Sequence, residues 1–115
     1  MKVKLDFITN SSSTAFMIQN TSKKDLNLTD FAAENMDLLE RYLEMYNWNK
    51  NDTRYTPLRL LESAANNNIQ FKAGDERECV FGDEQGSIIG AVYDYMLREG
   101  GTSKNFKWWF REYLR

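Results

Sequence analysis

Two hydrophobic periods alternate along this chain, and their order constrains its fold more than any other feature of the sequence. Residues 2–8 alternate apolar and charged side chains, as half-buried strands do. A hydroxyl-rich run follows, and then the short apolar segment 15–19, so the two segments predict a hairpin with a polar tip. Segments 69–73 and 77–81 predict a second hairpin around a Gly-Asp-Glu turn.

Four other segments repeat apolar residues every three or four positions and predict helices. These segments are 29–47, 57–65, 83–98 (or 87–98) and 103–115. The third is apolar around so much of its circumference that we expect it to lie at the centre of the molecule. The last keeps the most regular helical spacing. Its predicted apolar stripe consists of Phe106, Trp109, Phe110, Tyr113 and Leu114.

Helix boundaries have local signals as well. Thr29 or Asp30 can act as the N-cap of the first helix, with Leu28 as its hydrophobic staple. Pro57 suits the first position of the second helix, and three successive asparagines at 66–68 predict its end. Gly100-Gly101 ends the third helix, and Ser103 is placed to cap the fourth. The inward face of the second helix is predicted to consist of Leu58, Leu61 and Ala65.

The elements therefore read as ββααββαα. This order predicts an α+β fold, in which two β-hairpins form a small antiparallel sheet that is packed by about four helices. With 115 residues, of which 42% are hydrophobic, the chain has the size and composition of one globular domain spanning 1–115.

Several classes of chemistry are excluded or disfavoured by what the sequence lacks. It contains no histidine, which removes the usual nucleophile–base pairs and most zinc sites, so we expect no enzyme and no cofactor. Cys79 is the only cysteine and is expected to be a small buried hydrophobe. The carboxylates of 75–84 lack calcium-loop spacing, so no metal site is predicted. No export or membrane signal is visible, which predicts a cytoplasmic protein.

The segment 7–16, Phe-Ile-Thr-Asn-Ser-Ser-Ser-Thr-Ala-Phe, resembles the start of many uncharacterised bacterial and bacteriophage proteins. Those proteins begin with a Phe-Val-Ser/Thr-Asn-Ser-Ser-Ser-Ser-Ser-Phe signature. Segment 95–103, with the aromatic residues that follow it, resembles the end of some of them. This chain departs from the signature at Thr14 and Ala15, where serines are usual. The resemblance implies a phage or mobile-element origin and brings no known activity with it.

The serine-rich tip is one candidate site. Backbone amides among short polar residues can form a concave nest for a phosphate or carboxylate, whereas a solvated turn that satisfies its own backbone is the simpler interpretation. Phosphorylation of its serines is a third reading. The candidate anion-binding residues are Asn10, Ser11, Ser12 and Ser13.

The C-terminal helix offers the stronger candidate surface. Opposite its apolar stripe, helical spacing places Lys104, Trp108, Arg111 and Arg115 together with Glu112. Residues 101–115 carry four positive and one negative charge, whereas 25–46 carry one positive and six negative. An outward tryptophan among cations favours a protein partner, and a single aromatic residue is little for a nucleic acid. The alternative is that Trp108 packs under a neighbouring loop and the charges are simply solvated.

The acidic face of the first helix is typical of a solvated surface and consists of Asp30, Glu34, Asp37, Glu40 and Glu44. It could alternatively dock a basic partner, including the C-terminal helix of a second copy in a homodimer. The sequence thus favours a small, non-enzymatic protein that binds another protein. Binding of single-stranded nucleic acid, or of a phosphate ligand at the serine-rich tip, are the alternatives.

Overall fold

A computed structural model of the protein describes residues 13–46, 55–82 and 88–114. Within these residues the fold is a mixed α+β arrangement with four helices and two antiparallel sheets, which confirms the predicted class. The elements in chain order are β1 (Thr14–Asn20), β2 (Leu26–Asn27), α1 (Leu28–Glu34), α2 (Met36–Tyr46), α3 (Pro57–Asn67), β3 (Gln70–Phe71), β4 (Glu76–Phe81), α4 (Ile88–Met96), β5 (Gly101–Thr102) and β6 (Phe106–Tyr113). None of the described helices has the length and apolarity that a bilayer crossing requires.

The larger sheet has the strand order β4-β1-β6-β5, and its neighbouring strands are antiparallel. β1 lies in the interior of this sheet, with β4 hydrogen-bonded along one edge and β6 along the other. A hairpin between 15–19 and 2–8 is therefore wrong, because both edges of β1 are occupied. The predicted strand 2–8 itself lies outside the described residues.

The second predicted hairpin is also wrong, although its strands exist. β3 pairs with β2 in a separate two-stranded sheet, whereas β4 pairs with β1. The turn between β3 and β4 contains Gly74 at a φ of +79°, a backbone region that glycine enters without steric cost. The turn therefore forms as expected, but it carries the chain from one sheet to the other.

The predicted helix 29–47 is two helices. Asn27, rather than Thr29 or Asp30, is the N-cap of α1, and it forms a capping box with Asp30. Asn35 ends the helix because its backbone leaves the helical region, at a φ of −117° and a ψ of 40°, and its side-chain amide donates to the carbonyl of Phe31, which also accepts from the Asn35 backbone N–H. The side chain thus competes with the helical hydrogen-bond pattern at the point where the helix breaks.

The boundary signals of α3 are confirmed. Thr56 caps the helix, Pro57 begins it, and Asn68 ends it in the left-handed conformation at a φ of +50°. The predicted inward face is wrong, because Leu58 is 67% exposed and Ala65 is exposed, while Leu61 is only partly buried. The fully buried residues of α3 are Leu60 and Ala64, one turn apart.

The core lies between the helices and one face of the larger sheet, which we call the inner face. Helix α4 is buried from Ile89 to Asp94, as its continuous apolar pattern predicts. Phe31 of α1 lies at the centre of an aromatic cluster, with the rings of Tyr93, Phe106 and Trp108 all edge-on to it at centroid distances of 5.1–5.3 Å. This cluster joins α1, α4 and β6.

The predicted C-terminal helix is wrong. Residues 101–113 form β5 and β6 instead, and Ser103 lies in the turn between them rather than at a helix N-cap. Phenylalanine, tryptophan and tyrosine fit a pleated surface well, and β6 satisfies the free edge of β1. Phe106 and Phe110, which belong to the predicted helical stripe, also alternate with Trp108 along one face of a strand.

Candidate functional site

Strand β6 places its two adjacent tryptophans on opposite faces of the sheet. Trp108 is 6% exposed and belongs to the core cluster, by which we mean the buried residues packed between the helices and the inner face. The prediction that it points outward is therefore wrong. Trp109 is partly exposed and is not a member of that cluster. The physical reason is the two-residue period of a strand, which sends successive side chains to opposite sides.

Trp109 lies at the centre of what we call the outer face. Antiparallel pairing sets Met17 of β1 directly opposite both Trp109 of β6 and Glu78 of β4. Val80, next along β4 on this face, is 39% exposed. Met17, Val80 and Trp109 lie outside the core cluster that the described helices share with the inner face. The outer face thus presents an apolar row on the side of the sheet away from the core.

Charged side chains surround this apolar row. The ammonium of Lys107 lies 5.8 Å from the centroid of the Trp109 ring, within range of a cation–π contact. Arg111 occupies a β-bulge, because Ala15 pairs with Glu112 while Phe16 pairs with Phe110. From the bulge its guanidinium reaches across β1 to form an ion pair with Glu78.

The charges of the outer face nearly balance. By register and ion pairing, Lys107 and Arg111 are its cations, and the described residues place three carboxylates beside them. These carboxylates are Glu76, Glu78 and Glu112. The face therefore carries a net charge of about −1 and no positive stripe of the kind that tracks a phosphate backbone.

The structure does not bring the four predicted partner-binding residues together on one face. Lys104 is exposed in the turn between β5 and β6, Arg111 is exposed on the outer face, and Trp108 is buried. Arg115 lies outside the described residues. Sequence reasoning missed Trp109, Met17 and Val80, and the signal that could have found Trp109 is the period-two alternation of 106–110.

Of the four residues of the serine-rich tip, only Ser13 is described, and it is buried. Asn10, Ser11 and Ser12 lie outside the described residues, so anion binding at the tip stays a prediction. The carbonyl of Ser13 accepts a hydrogen bond of 3.0 Å from the backbone N–H of Leu114. The end of the serine-rich run is thus fixed beside the end of β6.

Thr14, the next residue, connects this run to a buried carboxylate. Its hydroxyl donates to Oδ1 of Asp94 at 2.6 Å, and Asp94 is fully buried on α4. Nη2 of Arg98 lies 3.2 Å from the same oxygen, while its guanidinium contacts the rings of Tyr95 and Tyr113. Asp94 Oδ2 has no hydrogen-bond partner among the described residues. Thr14, at the end of the serine-rich run, and Arg98, which follows α4, therefore meet at Asp94.

Glu34, predicted as part of a solvated acidic face, has a structural role instead. Its carboxylate accepts hydrogen bonds from the hydroxyl of Ser103 and from the backbone and side-chain amides of Asn105. Burial raises the pKa of Glu34, but these hydrogen bonds and the charge of Lys104 together lower it by more than burial raises it. The pKa therefore lies below its ordinary value of 4.5. Glu34 thereby ties α1 to the β5–β6 turn.

Cys79 is buried on the inner face, which confirms its predicted role as a small hydrophobe. Burial raises the pKa of its thiol to about 12. The thiolate is therefore scarce at neutral pH, and the side chain is unsuited to nucleophilic or redox chemistry.

No protein-family model matches the chain, and no curated protein and no solved structure is significantly similar to it. The geometry of the described residues is accordingly the basis for assigning a function.

Proposed function

We propose that this chain is a small, non-enzymatic accessory protein of phage or mobile-element origin that binds another protein in the bacterial cytoplasm. The observation that carries the proposal is the outer face of the sheet, where Trp109 lies partly exposed beside Met17 and outside the core. Tryptophan, methionine and arginine are enriched in protein interfaces, and tryptophan often supplies much of the binding energy.

A protein partner suits this face better than a nucleic acid does. Nucleic-acid affinity depends on cations that neutralise phosphates, and the outer face has about one more negative than positive charge. An apolar centre with charges of both signs around it resembles the core and rim of a protein interface. The charged rim selects the partner and its orientation, while Trp109 and Met17 supply the apolar contact.

The test compares two single substitutions in partner capture from a bacterial host lysate. Trp109→Ala removes the centre of the outer face, and Leu58→Ala is the matched control because Leu58 is 67% exposed on α3. The captured protein is identified and its Kd measured by calorimetry with each variant. We expect Trp109→Ala to raise the Kd at least about thirtyfold, as loss of a hot-spot residue does, and Leu58→Ala to leave it unchanged.

Other outcomes contradict the proposal in distinct ways. If Trp109→Ala captures the partner as well as the original chain does, the outer face is not the binding surface. If nuclease treatment abolishes capture and binding weakens steeply with salt, the nucleic-acid alternative takes its place. If light scattering shows a dimer that Trp109→Ala dissociates, a second copy occupies the face.

A further inference from the structure

A cavity of about 220 Å³ lies on the other side of the sheet, between α2, α4 and the edge strand β5. Its apolar wall includes Leu38, Met45 and Met96, and its rim includes Asp37 and Glu99. Trp108 and Gly101 contribute to the same lining. The cavity is smaller than the pockets that take drug-sized molecules, and its methionines can adapt to the shape of a ligand.

An unpartnered hydrogen-bond donor lies at this cavity. Nε1 of Trp108 is buried and has no hydrogen-bond partner among the described residues. Buried donors in native proteins nearly always have a partner, so an orphaned indole N–H beside a cavity needs an explanation. An acceptor that enters the cavity and reaches Nε1 would supply the missing hydrogen bond.

Gly101 controls the approach to that nitrogen. A Cβ atom at position 101 would lie 2.6 Å from Cζ2 and 3.2 Å from Nε1 of Trp108, so only glycine can pack against this edge of the ring. β5 has two residues, and its only described pairing is with β6. Because Nε1 is buried, an acceptor in the cavity reaches it only if this short edge strand moves outward, and a two-residue edge strand is the kind of element that opens locally.

A second orphaned donor lies behind the same aromatic cluster. The hydroxyl of Tyr93 is buried and has no partner among the described groups, and the rings of Tyr93 and Trp108 both contact Phe31. Burial, and secondarily the negative charge of Asp37, raises the pKa of Tyr93, so the hydroxyl keeps its proton. Nε1 of Trp108 can only donate, so it requires an acceptor, whereas the hydroxyl of Tyr93 can donate or accept.

The charge of the rim selects among acceptors. Asp37 and Glu99 are negative, and Arg41, the one cation among the described residues that line the cavity, pairs with Asp37 at 3.1 Å. A carboxylate or phosphate would meet this net negative rim, while an ammonium group would leave the indole N–H without an acceptor. A neutral carbonyl oxygen avoids both costs.

We propose that the cavity between α2, α4 and β5 binds a small, uncharged and largely apolar molecule whose carbonyl oxygen accepts a hydrogen bond from Nε1 of Trp108. The site lies on the inner side of the sheet and does not depend on the outer face, so either proposal can fail while the other holds.

The test uses three probes that share one ring and differ in their polar group: cyclohexanone, cyclohexanecarboxylate and the cyclohexylammonium ion. Each is titrated into the unaltered chain while NMR follows the indole N–H signals and the methyl signals of its methionines. The three tryptophans give one indole N–H signal each, and triple-resonance experiments on the unaltered chain assign the signal of Trp108. We expect cyclohexanone alone to shift the signals of Trp108 and Met96 in a saturable way.

Trp108→Phe keeps a six-membered aromatic ring and removes the donor together with the pyrrole part of the indole, so we expect it to weaken cyclohexanone binding about tenfold, as followed by the Met96 methyl signal. Trp109→Phe makes the same change on the outer face and should leave binding unchanged.

The comparison of the three probes needs no variant, so it stands even if Trp108→Phe does not fold. Equal responses to all three probes, or no saturable response to cyclohexanone, would overturn the proposal. An ordered water as the only acceptor at Nε1 would overturn it too.

Discussion

The inner and outer faces of the four-stranded sheet are built from alternate residues of the same strands, and aromatic residues occur on both. On the inner face, Phe16, Phe106 and Trp108 are buried against the helices. On the outer face, Trp109 stays partly exposed among charges. The difference shows that residue type alone does not assign a tryptophan to core or surface, because the neighbouring layer decides which face is covered.

The largest effect is expected on stability, when one aromatic residue of the core is removed and the loss is compared with that for an aromatic residue of the outer face. Phe31→Ala should lower the free energy of unfolding by about 3–5 kcal/mol, because it removes a fully buried ring and leaves a cavity among three others. Trp109→Ala should cost about 1 kcal/mol or less, as loss of a cross-strand contact does. Urea denaturation followed by circular dichroism measures both. Equal losses would mean that the outer face is packed as tightly as the core.

A smaller effect is expected where the helix layer is tied to the sheet. Glu34→Gln should lower the free energy of unfolding by about 1–2 kcal/mol at pH 7, because an amide can no longer accept all the hydrogen bonds from Ser103 and Asn105. The pKa of Glu34 is lowered on folding, so its contribution is complete above its ordinary pKa of 4.5 and is lost as the pH falls through the folded pKa.

This sign gives Glu34→Gln a pH dependence that a mere packing defect would not produce. The stability difference between the original chain and the variant should shrink as the pH is lowered from 5 to about 3 in urea titrations. Asp30→Asn is a suitable control, since Asp30 is exposed in the α1 capping box and its carboxylate accepts one backbone hydrogen bond. A stability difference that stays constant with pH would show that the negative charge of Glu34 does not stabilise the contact between α1 and the β5–β6 turn.

The smallest effect is expected on the outer face. The side chains of Arg111 and Glu78 are 51% and 43% exposed, so their ion pair is hydrated despite its direct contact. A double-mutant cycle with Arg111→Ala and Glu78→Ala should give a coupling energy of about 0.2–1 kcal/mol that falls with added salt. A coupling above about 2 kcal/mol would show that the outer face is shielded from water.

Local signals in the sequence were reliable where one residue's own backbone chemistry decided the outcome. Pro57 begins α3 and Asn68 ends it in the left-handed conformation, as their backbone preferences require. The continuous apolar pattern of 88–97 placed α4 in the core for a similar reason, since a helix that is apolar all round must be covered. These predictions need no knowledge of a distant partner.

The candidate site was only partly accessible from the sequence. Arg111 was correctly expected on the surface, but Trp108 and Trp109 exchange roles once 106–113 is a strand instead of a helix. Phe106, Phe110 and Tyr113 satisfy a helical period as well as a large part of an alternating one, so periodicity alone does not separate the two structures. The free edge of β1, which β6 occupies, decides between them, and its residues lie 86 to 99 positions away from their partners in β6.

The α+β class, the start and end of α3 and the burial of α4 are predictable from the sequence, because they follow from local backbone preferences and composition. Which strands pair, where the helix after Asn27 breaks and which tryptophan is exposed depend on contacts between distant segments. Strand pairing depends on backbone hydrogen bonds between segments far apart in the chain, and those bonds have no signature in either segment read alone. The outer face forms because β4 and β6 pair with opposite edges of β1.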